Sequence, residues 1–278
     1  MTTVYLNGEY KPLLEASINV LDRGFTFGDG VYEVIPIFNR TLFRFDEHMQ
    51  RLENSLKAIF MENPYSSIKW RSIFEKLIDT VEQSEQSIYL QITRGVSERD
   101  HDISLADNPT IFAMSRPIVK QELSAGINAI THEDIRWQYC DIKAITLLPS
   151  VLLRHKAKQQ GAKEAILIRD GYLTEGAASN VFICKDDEIF TPPKNNHVLP
   201  GITRDLLLEI LASNNMSYSE STISEGALFN ADEVWLTSST WEIVPVIKLD
   251  NMPIGTGETG PLWQTINQLY QEFKSGYC

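Results

Sequence analysis

Apolar residues along the chain change period several times, and each change marks an element. From Val31 to Phe38 the residues are mainly β-branched and aromatic, which predicts a strand, and Asn39-Arg40 supplies a turn into a second strand at Thr41 to Phe45. Asp46 stands where a helix N-cap is expected. Met49, Leu52, Leu56, Ile59 and Phe60 follow at helical spacing until Pro64 ends the run. Trp70, Ile73, Phe74, Leu77, Ile78 and Val81 line one face of a second amphipathic helix. Between Ser87 and Thr93, Ile88, Leu90 and Ile92 alternate with Tyr89, Gln91 and Thr93, the pattern of a half-buried strand. A polar loop from Gly95 to Asn108 leads to a further strand at Thr110 to Met114.

The pattern then pauses in a polar stretch, Lys120 to Gly126, which is the expected boundary between a small N-terminal α/β domain (1–119) and a larger, strand-rich domain (120–278). In the second part Asp170-Gly171, Asp186-Asp187 and Asp250-Asn251 each separate two β-like runs. Helices are expected at about Leu147 to Gln160, Thr203 to Ser213 and Pro261 to Phe273. No repeat or low-complexity segment interrupts this order, and the fold class is α+β with two domains.

Composition narrows the function classes. The 278 residues are 43% hydrophobic and 22% charged, enough apolar content for a sizeable core. A net charge of −12 repels phosphodiester backbones and anionic lipid, so neither nucleic acid nor membrane is an expected partner. Small anionic substrates are still admitted, because local arginines override a distant net charge. Cys140, Cys184 and Cys278 are too few and too scattered for a disulfide framework or a structural zinc cluster. The first residues carry no basic cap and no apolar signal region, and no apolar run approaches the ~20 residues that span a bilayer, so a soluble cytoplasmic protein is expected.

Several signatures of other chemistries are missing. Gly24, Gly28 and Gly30 lack the spacing of a dinucleotide turn, no phosphate loop of the Walker type occurs, and no G-x-S-x-G elbow is present. The five histidines have no metal-binding spacing. Leu199-Pro200-Gly201-Ile202-Thr203-Arg204-Asp205 is more informative. A glycine followed by a helix start leaves the N–H groups of Ile202 and Thr203 without intrahelical partners at the positive end of the helix dipole. That geometry suits phosphate, though an ordinary capped helix is the commoner outcome of such a segment on its own. Thr237-Ser238-Ser239-Thr240, after a strand at Glu233 to Leu236, is a hydroxyl-rich turn open to the same two readings.

Read in order, the motifs resemble one family. Asp22-Arg23-Gly24, Phe27-Gly28-Asp29-Gly30-Val31-Tyr32-Glu33, Glu47-His48-Met49-Gln50-Arg51-Leu52, Asp141-Ile142-Lys143, Thr174-Glu175-Gly176 with Ser179-Asn180, Leu199 to Arg204, and Thr237 to Val246 resemble the class IV aminotransferases. These are pyridoxal-phosphate enzymes of fold type IV, and the resemblance covers nearly the whole chain. Thr93-Arg94-Gly95 with Arg99-Asp100-His101, and Glu133-Asp134-Ile135-Arg136-Trp137, are similar to the branch acting on D-amino acids rather than to the branched-chain L-amino-acid branch.

The resemblance implies a role for each site residue, and each role has a physical basis. Lys143 would carry pyridoxal 5′-phosphate as a Schiff base, which requires an unprotonated amine, and would then shuttle the substrate's Cα proton. Glu175 would face the pyridine nitrogen and keep it protonated, making the ring an electron sink. Arg51 would pair with the phosphate through its guanidinium fork, beside Ile202, Thr203, Ser239 and Thr240. Tyr32, Arg99 and His101 would trap the substrate α-carboxylate. The Arg99-x-His101 loop would reach in from a neighbouring subunit, so a homodimer with shared active sites is implied.

The chain departs from the pattern of the D-amino-acid branch at Ala177 and Ala178, where serines are common, at Thr146, where asparagine is common, and at Trp241, where a smaller residue is usual. These departures bear on substrate range, not on cofactor chemistry. The expected activity is ping-pong transamination between a D-amino acid such as D-alanine and a 2-oxo acid such as 2-oxoglutarate. Alternatives on the same fold are aminodeoxychorismate lyase and branched-chain L-amino-acid aminotransferase. A catalytically silent scaffold would lack the lysine or the phosphate arginine, and both are present.

Overall fold

A computed structural model describes residues 2–106, 108–119 and 121–278. Fifteen strands and seven α-helices are found among them. In chain order the strands are β1 (Thr3–Leu6), β2 (Glu9–Pro12), β3 (Gly30–Phe38), β4 (Thr41–Leu42), β5 (Gln86–Thr93), β6 (Thr110–Pro117), β7 (Ile127–Glu133), β8 (Glu164–Arg169), β9 (Tyr172–Gly176), β10 (Asn180–Lys185), β11 (Glu188–Thr191), β12 (Tyr218–Glu220), β13 (Glu233–Ser238), β14 (Glu242–Leu249) and β15 (Met252–Pro253). The helices are α1 (Arg23–Phe27), α2 (Phe45–Ala58), α3 (Ser67–Ile78), α4 (Leu148–Gln159), α5 (Ile202–Ser213), α6 (Glu225–Phe229) and α7 (Pro261–Tyr277). None of the described helices is long and apolar enough to cross a membrane.

The chain divides into two units: Met1–Val119 with Ile142–Thr146 and Cys278, and Lys120–Asp141 with Leu147–Tyr277. Lys120, the first residue of the expected boundary stretch, lies outside the described residues. One segment departs from the expected division. Ile142–Thr146, which carries Lys143, groups with the first unit and not with residues 120–278. The cause is backbone pairing to β3: Ala144 bridges Val31, the Tyr32 N–H donates to the Lys143 carbonyl at 3.0 Å, and the Ile145 N–H donates to the Gly30 carbonyl at 3.1 Å.

In the first unit a sheet of order β2-β1-β6-β5-β3-β4 pairs antiparallel throughout. The alternation in β5 is obeyed, since Ile88, Leu90 and Ile92 are all buried. They join Val31, Ile35 and Ile37 of β3, Leu52 and Leu56 of α2, and Trp70, Phe74 and Leu77 of α3 in one core. Two local expectations are corrected here. β4 stops at Leu42, and α2 begins at Phe45 with Arg44, not Asp46, as its N-cap, in a left-handed conformation. Phe45 is drawn into the core edge-on to Phe74 at 6.2 Å, and that burial starts the helix early. Asp46 and Glu47 then fall in the first turn, where the helix dipole favours them. At the other end Phe60 leaves the apolar stripe and is 83% exposed. The chain turns left-handed at Phe60, and Arg94 Nη2 caps the helix end on the Ile59 carbonyl at 2.6 Å.

In the second unit a mixed sheet runs β12-β11-β10-β13-β14-β7-β8-β9, with β15 paired to β14. The β14–β7, β7–β8 and β11–β12 pairs are parallel and the others antiparallel. Asp170-Gly171, Asp186-Asp187 and Asp250-Asn251 all take positive φ at both positions, the hairpin geometry that matches strand twist. One core gathers Val181 and Ile183 of β10, Val234 and Leu236 of β13, and Val244 and Val246 of β14. Leu153 and Ala157 of α4 close a smaller cluster with Ala165 and Leu167 of β8.

Candidate active site

Lys143 is fixed from two sides within the first unit. Its carbonyl accepts from Tyr32 on β3, and its own N–H donates to Ser55 Oγ of α2 at 3.2 Å. The ammonium stands 4.2 Å from the centroid of the Tyr32 ring, and among the described residues it has no carboxylate partner.

Beside it, the buried face of β3 carries a charge where its neighbours are aliphatic. Val31, Glu33 and Ile35 alternate inward, and Glu33 is 0% exposed. Its carboxylate accepts from Arg51 Nε and Nη2, both at 2.8 Å, and its Oε2 lies 2.8 Å from His48 Nδ1. His48 and Arg51 are three residues apart on α2, so helical spacing aims both at one strand position. Burial alone would raise the Glu33 carboxyl, but the Arg51 guanidinium more than offsets it and holds the group well below the usual carboxylate range. Burial pushes the His48 imidazole down, outweighing the opposing pull of the Glu33 carboxylate. Arg51 is therefore an oriented, permanently charged group rather than a mobile surface arginine.

The other two members of the expected carboxylate trap sit elsewhere in this unit. Arg99 and His101 are exposed and lie about Phe27: the Arg99 guanidinium is 5.1 Å and the tilted His101 ring 5.5 Å from its centroid. Their loop is anchored from behind. Arg23 Nη1 donates to the Asp100 carbonyl at 2.6 Å, and Arg23 and Arg94 both grip Asp29 Oδ2 at 2.8 Å. Within the chain this geometry brings Tyr32 to Lys143 and points Arg99 and His101 to solvent.

In the second unit Glu175, next to the last residue of β9, is a buried carboxylate with three donors. Oε1 accepts from Arg136 Nη1, and Oε2 accepts from Asn180 Nδ2 at 3.1 Å and the Leu199 N–H at 3.0 Å. Arg136 is itself held by Asp134, with Nε and Nη2 each donating at 2.9 Å. Burial pushes the Glu175 carboxyl up to about 7 against the opposing pull of Arg136. Such a group is poised to hold or release a proton near neutrality.

Asn180 also donates to the Leu199 carbonyl at 2.9 Å, tying β10 to the loop that enters α5. Gly201 is the N-cap of α5 without a side-chain cap, and Ile202 and Thr203 form its buried first turn. Gly is required there by a close approach, since a Cβ would meet Asn180 Oδ1 at 1.9 Å. The uncapped turn keeps its N–H groups for an outside acceptor, so the anion-seat reading is the one this geometry favours. Ser239 is half-buried and Thr240 exposed in the turn after β13, where the Trp241 N–H donates to Ser238 Oγ at 3.2 Å. The Arg154 guanidinium lies 5.2 Å from the centroid of the Trp241 ring.

Sequence reasoning does not single out Glu33, His48, Arg136 or Asn180 as working groups, although each lies inside one of the motifs named above. The available signal is a charged residue on the inward register of an otherwise aliphatic strand, and two polar residues on the inward face of α2.

The chain matches the amino-transferase class IV family over residues 30–249. It is 40% identical over 270 residues to a D-alanine aminotransferase of Bacillus licheniformis, covering 96% of this chain and 95% of that one. Identity to a D-alanine aminotransferase of Staphylococcus aureus strain N315 is 38% over 276 residues, covering 98% of each. Among solved structures, the branched-chain amino acid aminotransferase of Escherichia coli superposes with a TM-score of 0.89 at 27% identity, covering 96% of this chain and 92% of that chain. A T.th. branched-chain amino acid aminotransferase, complexed with N-(5′-phosphopyridoxyl)-L-glutamate, superposes with a TM-score of 0.89 at 25% identity, covering 98% of this chain and 93% of that chain. Through the family match and these near-full-length relatives, the protein is a member of the class IV aminotransferases.

Proposed function

We propose that this chain is a pyridoxal-phosphate-dependent transaminase that moves an amino group between a D-amino acid, with D-alanine as the type substrate, and a 2-oxo acid, and that it works in the cytoplasm as a homodimer. The observation that carries the reading is the near-full-length identity to D-alanine aminotransferases, joined to a salt-bridge-free Lys143 and a three-donor Glu175.

The side chains fit that cofactor. A paired, oriented Arg51 and the uncapped start of α5 suit its phosphate, and a buried carboxyl near pH 7 suits its ring nitrogen. When bound, the cofactor supplies an electron sink for the carbanion left when the substrate's Cα proton departs. Lys143 would hold the cofactor through its side-chain amine, and the same amine would take up the proton of the substrate's Cα. Tyr32 keeps that amine against its ring face and limits where it can swing. Glu175 would hold a proton at the ring nitrogen, with Arg136 and Asn180 keeping its carboxyl oriented.

Tyr32 supplies one donor for the substrate carboxylate, and Arg99 and His101 supply the others to the partner's site. Their exposure supports that assignment, as does the segment bonded to their loop through Leu21 and Asp22, where Val20 and Phe25 are each 71% exposed. The test is the visible spectrum of the purified holoprotein during titration with D-alanine and then L-alanine. Bleaching by the D form alone is expected; bleaching by the L form alone would overturn the reading. The likeness to branched-chain enzymes makes L-leucine the competing donor, and D-alanine turnover is expected to exceed it. Turnover also requires an added oxo acid, which a lyase would not.

A further inference from the structure

Thr237, next to the last residue of β13, is 1% exposed, and its Oγ1 is buried with no hydrogen-bond partner among the described residues. A hydroxyl taken out of water and left unpaired weakens a fold, so natural structures rarely keep one without use. The surroundings of Thr237 indicate the use. The antiparallel register of β10 and β13 sets Thr237 directly opposite Asn180, so the two side chains share a face of the sheet. Asn180 is the residue that donates to Glu175 and to the Leu199 carbonyl, and its Oδ1 lies where a Cβ on Gly201 would fall. The unpaired hydroxyl is thus on the face where the uncapped start of α5 abuts the sheet, and the turn with Ser239 and Thr240 follows directly.

We propose that Thr237 is a further cofactor-binding residue, its hydroxyl donating to the phosphate of pyridoxal phosphate beside the N–H groups of Ile202 and Thr203. This rests on the cofactor reading above. Threonine fits the task better than valine of the same shape, because valine would fill the space without an unpaired polar atom. A purely structural threonine in this sheet would be expected to bond a neighbouring carbonyl, as Thr191 Oγ1 of β11 does with Val181 at 2.7 Å.

The experiment compares wild type, Thr237→Val and Thr237→Ser as apoproteins, titrated separately with pyridoxal phosphate and with pyridoxal, which lacks the phosphate. Melting of each apoprotein is recorded in parallel. Thr237→Val is expected to raise the Kd for pyridoxal phosphate about tenfold or more and to leave that for pyridoxal within about threefold. Its apoprotein is expected to melt no lower than wild type, since it sheds an unpaired group. Thr237→Ser keeps the donor and should bind pyridoxal phosphate within about threefold of wild type. An unchanged Kd for Thr237→Val would overturn the inference whatever its apoprotein melting temperature, as would an equal loss for both vitamers. If Thr237→Val does not fold, a tenfold loss in Thr237→Ser overturns it as well. Wild-type protein that binds no pyridoxal phosphate would instead sink the cofactor reading itself.

Discussion

At the scale of single residues, the chain separates two carboxylates by their surroundings. Glu33 and Glu175 are both buried, yet a bidentate guanidinium holds the first ionised while burial lifts the second to about 7. The raised group predicts a pH signature in the cofactor-free protein. Between the ordinary glutamate range and pH 7 the folded state holds a proton that the unfolded chain has lost, so stability falls as pH rises through that window and levels off above it. The full effect is at most about 3–4 kcal/mol. Urea melts from pH 4.5 to 8 should show the slope in wild type and a flatter profile in Glu175→Gln; equal slopes would refute the assignment. Lys143→Ala is expected to lose at least about 10²-fold in turnover together with the visible absorption of the bound cofactor. Full retention of both would remove Lys143 from the chemistry. Lys143 and Glu175 were legible in the sequence only through their motifs, because an isolated lysine or glutamate is by default a solvated charge. What the motifs did not convey was the support behind them: Arg136 and Asn180 are defined by which atoms they touch, and that depends on strand register.

At the scale of elements, the link between β3 and α2 is ionic at its centre and aliphatic around it. Removing the carboxylate from this buried cluster strands two nitrogen-bearing side chains in an apolar environment. Glu33→Leu is therefore expected to cost about 3–5 kcal/mol, read as a drop in the urea midpoint, despite the added hydrophobic bulk. A stabilised variant would mean that the cluster contributes nothing to the fold. Gly201→Ala tests the other anchor. It forces Asn180 aside, so a weaker grip on pyridoxal phosphate is expected with the secondary structure intact, measured by cofactor titration and circular dichroism. Periodicity located the cores of α2, α3 and β5, since a 3.6- or 2-residue repeat is a local property. It misplaced the boundaries of α2 because Phe45 and Phe60 are equally apolar, and only packing separates one that meets Phe74 from one that meets solvent. The three Asp-led hairpins were legible for a chemical reason: Asp, Asn and Gly tolerate the left-handed backbone that the turns need.

At the scale of the whole molecule, the proposed homodimer makes each active site the work of two chains, and that can be tested without a structure of the complex. Lys143→Ala and Arg99→Ala chains, each inactive alone, are mixed after denaturation and refolded together. Half of the random dimers pair one of each, and in those one of the two sites is whole, so about a quarter of wild-type activity should return. No recovery would place Arg99 in service of its own chain. The division of the chain carries a separate lesson for anyone cutting the gene. Residues 142–146 are borrowed from the far side of a long excursion and complete the border of β3 through Ala144, Ile145 and the Lys143 carbonyl. A fragment ended at Val119 would therefore expose the Tyr32 amide and Gly30 carbonyl along an unfinished edge. Supplying the missing five residues, either as a tethered extension or as a free peptide, should be what makes that fragment soluble.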